Sequence, residues 1–414
     1  MVQTLYLSPE GGGSGTSWDD PAPLSQLATA LDQASDGVLV GFPPNRDSPW
    51  FWDDTQAEAL IAGTADRRFQ LVFGQRVNSN GVEPAPRGHP PLLRRRRQPF
   101  PTQTRPDPTG KPFMVLKDPT YIDVSGPVYE GSGAQGMFRL SGDGNSLGFT
   151  GLHARMAGRV LDTEPGTRLT DLTIRDSSGY GLIRGFGRFH DLSDARFERL
   201  DLDAAGIDGG GTRVCQMIAV GKGQNLVFDG VHMRRAANLL DVEERGSTYV
   251  QGDGVVLEEE TSNATFIDCH ARDFGDAGFD MKCDGIRFER CSVAGCKYGV
   301  RVWRDNPANE LLLCHISAPH PRPQNSAACI WLGGQVTMRD CVLHTLPDSA
   351  AIRFGKGHDT ETRVATMIGG SIDTSAGGAL LAGEPGTLVL QNVRLNGEPV
   401  TGEAIWTGAG LEWR

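Results

Sequence analysis

The sequence has no apolar run approaching the 18 or more residues of a membrane span, so no spanning helix is expected. It has no Cys-x-x-Cys pair among its 8 cysteines, which excludes a zinc knuckle and, at 414 residues, a disulfide-dense scaffold. No His-x-His or His-Glu-x-x-His spacing occurs, so neither a zinc site nor a histidine-based triad is signalled. Basic residues are in deficit: the net charge of −11 argues against nucleic acid as a partner, and an acidic substrate would need positive charge gathered locally. The Met1 end lacks a basic-then-apolar leader. The chain is therefore expected to work either inside the cell or, slightly favoured, in a secreted or periplasmic setting after signal removal. Gly11 to Gly15 is glycine-rich, but no Lys-Thr comes after it, so it reads as a surface turn and not a phosphate loop.

Glycine, by contrast, is abundant at 54 residues, scattered singly and in pairs, which implies many tight turns. Between those turns a short strand recurs. Its copies end at Ile174, Phe197, Phe228, Phe266, Phe288, Leu313, Met338, Met367 and Leu390, with intervals of 23, 31, 38, 22, 25, 25, 29 and 23 residues. A floor near 22 with longer excursions is the length of one coil in a three-faced parallel solenoid whose extra residues lie in loops. Three residues further on stand Leu200, Val231, Cys269, Cys291, Ile316 and Cys341, small or apolar residues expected to form one inward column. The cysteines then serve as buried packing residues.

The fold expected is all-β, a right-handed parallel β-helix. Its parts are an N-terminal strand and capping helix in 1–45, a Pro- and Arg-rich excursion in 46–112, the β-helix in 113–395 and a C-terminal cap in 396–414. The helix rests on apolar residues at Leu24, Leu27, Ala28 and Leu31. Arg94 to Arg97, within the excursion, reads as a solvated run.

Second strands align on inward pairs: Leu240 and Val242, Val255 and Leu257, Phe279 and Met281, Val300 and Val302, Ile330 and Leu332, Ile352 and Phe354. Their outward partners are Asp241 and Glu243, Val256 and Glu258, Asp280 and Lys282, Arg301 and Trp303, Trp331, and Arg353. Equivalent positions of neighbouring coils stack about 4.8 Å apart, so acids, cations and indoles meet on one face. Such a face suits a sugar polymer, with Trp303 and Trp331 as stacking surfaces and Asp241, Glu243, Arg304 and Arg353 as further substrate contacts.

The coil pattern over about residues 113–395 resembles the pectate-lyase-like superfamily. Gly252-Asp253-Gly254 together with Gly275 to Asp280, one coil later, is similar to the calcium-binding stretch of family nine pectate lyases, although Ala277 replaces its second aspartate. The resemblance implies Ca2+ held by Asp253, Asp276 and Asp280, and β-elimination from a uronate polysaccharide. Lys282 would be the base and Arg301 would neutralise the carboxylate or donate a proton, with Lys297 and Arg304 as substitutes, and Glu258 and Asp280 would stand beside them. Two other readings stay open: a glycoside hydrolase or glycan transferase using paired carboxylates, and a β-helix that binds glycan without cleaving it. Oligomeric state is not legible.

Overall fold

The structure is a computed structural model that describes residues 3–8, 11–17, 19–27, 29, 38–42, 50–52, 57–66, 68–73, 76–78, 81–83, 92–95, 112–131, 136–208, 214–238, 249–321, 327–358 and 363–414. The chain divides into two compact units, Met1–Leu202 and Asp203–Arg414. Each is built as a right-handed parallel β-helix of short strands in register from coil to coil. Among the described residues no helix is long and apolar enough to cross a membrane.

In the first unit, parallel stacking begins earlier than the sequence suggests. Gln3–Ser8 pairs with Val38–Phe42, which pairs with Phe69–Phe73, and both Phe69–Phe73 and Ala57–Ala62 pair in parallel with Met114–Ser125. Within the expected excursion of 46–112, the described segments Trp50–Trp52, Ala57–Ala62, Phe69–Phe73 and Leu92–Arg95 are parallel strands. Their apolar runs, such as Phe69 to Phe73, are short and could not be told from loop packing by periodicity. Of the expected capping helix, Leu24–Gln26 forms a single 3-10 turn next to the fully buried Leu27, while Ala28 and Leu31 lie outside the described residues. Arg94 and Arg95 end the strand Leu92–Arg95, while Arg96 and Arg97 lie outside the described residues.

In the second unit, each coil turns a sharp corner at one residue in the left-handed region: Asp268 (φ 49°), Arg290 (52°), Leu313 (54°) and Asp340 (50°). Each stands two residues beyond a core position, Phe266, Phe288, Leu311 or Met338, and these four are stacked in register. The repeat therefore passes through Leu311, not Leu313 as the spacing suggests. Leu313 is the corner residue and is 52% exposed. With that shift the column behind the corner becomes Cys269, Cys291, Cys314 and Cys341, all buried and unbridged, and Ile316 moves to the third strand beside Val293 and Leu343. All eight cysteines are buried thiols.

The core is a ladder of like residues. The rings of Phe228, Phe266 and Phe288 lie parallel, with centroids 4.6 and 4.3 Å apart, and Phe279 meets Phe288 edge-on at 5.0 Å. The expected second-strand register holds from Val255 to Phe354; the first inward pair, Leu240 and Val242, lies outside the described residues. The last coil strand, Gly386–Leu395, is covered by antiparallel Glu398–Trp406 and then Leu411–Trp413, so the apolar end is closed by strands running against the coils.

Phe266 is fully buried between two stacked rings, so Phe266→Ala removes both contacts and leaves a cavity. It is expected to lower unfolding free energy by about 3–5 kcal/mol, measured by urea denaturation, with Leu313→Ala within about 1 kcal/mol of the parent because its side chain faces water.

Candidate active site

Parallel register carries one outward column through Val256, Asp280, Arg301, Trp331 and Arg353. Asp276 stands four residues before Asp280 and Lys297 four before Arg301, so these two also occupy equivalent places on neighbouring coils. Asp253 lies at the start of its strand, where its Oδ1 accepts the Ala277 N–H at 2.9 Å. Acids and cations of three coils are thereby packed together. All of Asp253, Asp276, Asp280 and Lys297 are at most 4% exposed.

The contacts are specific. Asp276 accepts from Tyr249 Oη (2.5 Å) and Arg301 Nη1 (2.9 Å). Asp280 accepts from Trp303 Nε1 (2.7 Å), with Lys282 Nζ at 3.1 Å and Arg301 Nε at 3.6 Å. Lys282 also donates to Glu258 at 3.0 Å. Arg301 is packed against indoles: its Cζ is 4.5 Å from the Trp303 ring and 5.1 Å from Trp331. Trp331 rests over Gly355, where any Cβ would strike the indole at 2.1 Å, and beside Ala277, Ala328 and Ala350. These small residues make room for the two rings. Trp331 is only 8% exposed, so it first holds the guanidinium in place, and it is less open to solvent than an outward tryptophan suggests.

Lys297 differs from its neighbours. Its ammonium is buried, Nζ has no hydrogen-bond partner among the described residues, and it faces the Tyr249 ring at 3.6 Å from the centroid. Burial pulls its pKa from 10.5 down to about 8, assisted by Arg301 and Arg353 and opposed by Asp276 and Asp253. Lys282 is the reverse case. Burial pulls its pKa down, but Asp280 and Glu258 outweigh it, so its pKa is raised and the amine stays protonated. Asp253 is pushed well above the carboxylate range by burial and by Asp276 and Asp280. Burial likewise raises Tyr249, keeping its phenol a donor to Asp276.

The structure therefore gathers Asp253, Glu258, Asp276, Asp280, Lys282, Arg301, Trp303 and Trp331. Arg304 is turned aside, donating to the carbonyl of Lys282 at 3.2 Å and of Glu259 at 3.3 Å. Arg353 continues the column beside Trp331 and is half-buried, with no carboxylate within ion-pair distance among the described residues. Asp241 and Glu243 lie outside the described residues. Tyr249 carried no sequence signal, since it falls outside the aligned strand pairs. Lys297, named from sequence only as a substitute, takes its place in the site by extending the coil alignment back from Arg301 as from Asp280. The donor set does not fit calcium: Asp276 and Asp280 are committed to Arg301, Lys282, Tyr249 and Trp303, whereas the ion wants six or more oxygens. Among the described residues no three acidic, histidine or cysteine side chains are disposed to hold a metal.

No family model and no curated protein matches the chain. Solved structures do. A double mutant of the periplasmic alginate epimerase AlgG superposes with a TM-score of 0.52 at 10% identity, covering 85% of this chain and 80% of that one. The GH136 lacto-N-biosidase from Eubacterium ramulus gives 0.51 at 10% identity, over 95% and 67%. Pectate lyase Pel9A gives 0.38 at 11% identity, over 95% and 78%, too distant to carry chemistry across. The likeness is one of fold, the parallel β-helix.

Because the folded-state pKa of Lys297 lies below its ordinary value, folding carries a penalty that is full below about pH 8, falls as pH rises from there toward 10.5 and is gone above 10.5. Lys297→Met is expected to stabilise the protein by up to about 3 kcal/mol near pH 6. The gain should shrink steadily above pH 8, as read from urea midpoints across pH.

Proposed function

We propose that the chain is a polysaccharide-cleaving enzyme that acts by β-elimination on a uronate-containing glycan. The observation that carries this reading is Lys297, a buried amine without a hydrogen-bond partner among the described residues and with a pKa of about 8. At pH 7 roughly one tenth of such an amine is neutral, against less than a thousandth for an ordinary lysine. Elimination needs a base of this kind near the C5 proton and a cation on the uronate carboxylate, which makes that proton acidic. Arg353, beside Trp331 and unpaired among the described residues, is suited to the carboxylate. Arg301 is held rigidly by Asp276, Asp280 and the two indoles, and its charge opposes negative charge building on the sugar. Tyr249 covers Lys297, so a sugar ring must displace the phenol to reach the amine. Lys282, paired with Asp280 and Glu258, keeps those acids in position. A polymeric substrate of this kind favours an exported protein.

Hydrolysis is the second reading, and Asp253 favours it. A carboxyl pushed up by burial and by two neighbouring acids is suited to act as a general acid, with Asp276 or Asp280 as the second carboxyl of the pair. A glycan-binding protein without catalysis would require neither the low-pKa amine nor the high-pKa acid.

Incubation with a panel of uronate polymers should give ultraviolet absorbance from an unsaturated product, undiminished by a chelator. Lys297→Ala is expected to lower kcat by about 10²- to 10⁴-fold, and Arg353→Gln to raise KM more than it lowers kcat. Reducing ends without unsaturation, abolished by Asp253→Asn, would establish hydrolysis instead.

A further inference from the structure

The unit Met1–Leu202 contains a charged cavity of about 470 Å3, a size ordinary for a ligand pocket. Its origin is again register. Phe138, Leu161 and Gly187 stack in parallel, which aligns the outward Arg139, Asp162 and Arg188 on three successive coils. Arg159 and Arg184 join them from the turns that precede those strands and also line the cavity. Four guanidiniums thus face two carboxylates, Asp162 and Glu164. Asp162, itself 7% exposed, is in contact with Arg159 Nη1 at 3.4 Å. In a chain of net charge −11 this local excess of positive charge is the reverse of the average.

The cavity has a fixed floor. The side chain of Arg159 is 4% exposed. Thr163 Oγ1 accepts the backbone N–H of His190 at 2.9 Å and lies 2.8 Å from its Nδ1, so threonine fixes the imidazole. Burial and Arg188 lower the His190 pKa, which leaves that ring neutral near pH 7 and the positive charge on the arginines.

We infer that this cavity binds an anionic sugar residue through its carboxylate, making it a second oligouronate site. Planar guanidiniums match a carboxylate with two parallel hydrogen bonds, and an arginine excess in a concave site is what such a group requires. The choice of uronate rests on the reading of the chain as acting on a uronate glycan; the anion site itself does not. A site of this kind holds its ligand by charge and takes no part in bond cleavage.

The test is calorimetric titration of saturated oligouronate into the full chain carrying Lys297→Ala, which does not consume the ligand. A parallel titration uses Lys297→Ala with Arg139→Gln and Arg188→Gln. Two classes of site are expected in the first protein, one of them lost or weakened at least ten-fold in the second and weakened by salt. Arg188 is exposed, so if the double substitution impairs folding, Arg188→Glu alone gives the same reading. Unchanged stoichiometry and affinity in these variants would overturn the inference, as would a cavity that takes a sulfated oligosaccharide on a neutral backbone but no oligouronate. Oligouronate bound at these arginines by a protein that yields no unsaturated product would uphold this site while refuting the elimination reading.

Discussion

Parallel stacking in register is the constraint on which the rest depends. Each coil sets its outward side chains about 4.8 Å from their equivalents on the next, so charge is distributed by column and not by local sequence. Two aspartates of one coil, Asp276 and Asp280, thereby acquire Lys297 and Arg301 as neighbours four residues apart on the next coil. Alternation of acid and base from coil to coil is what makes such a column tolerable, since like charges at this spacing would repel. The same rule makes Arg139, Asp162 and Arg188 a column in the first unit, where two arginines flank one aspartate.

Burial converts that arrangement into chemistry. Asp276 and Asp280 meet Arg301 and Lys282 in direct contacts of 2.9 and 3.1 Å, which hold both cations charged. Asp253, Asp276 and Lys297 are the members whose partners do not fully compensate for lost water. Their pKa values move toward neutrality from opposite sides, the acids up and the amine down. Pairs of groups displaced in this way are where acid and base work is usually found, at some cost in stability. The two indoles complete the site by fixing Arg301 between coils, a task that requires Ala277, Ala328, Ala350 and Gly355 to stay small.

The fold was legible because its period is written in core residues: the spacing of Phe266, Phe288 and Met338 tracks the coils directly. It failed at Leu313, where an apolar residue occupies an exposed left-handed corner and imitates the core position two residues before it. It failed again before residue 113, where strands such as Phe69–Phe73 are short and their intervals irregular. Of the site, the outward column was readable once the inward pairs were aligned, which found Asp280, Lys282, Arg301, Trp303, Trp331 and Arg353. Two properties were not readable. Which lysine has an ion-pair partner depends on side-chain reach: Lys282 meets two carboxylates and Lys297 meets an aromatic ring. Whether an outward tryptophan is open or covered depends on what lies across from it, here Trp303 at 4.3 Å.

The central claim is that Lys297 is an amine held near neutrality by its surroundings. NMR titration of the side-chain ammonium, assigned by comparison with Lys297→Met, tests it directly. A midpoint near 8, against ordinary values for the other lysines, is the predicted result. A midpoint above 10 would contradict the account, because an amine that stays fully charged through the neutral range has no part in removing a proton.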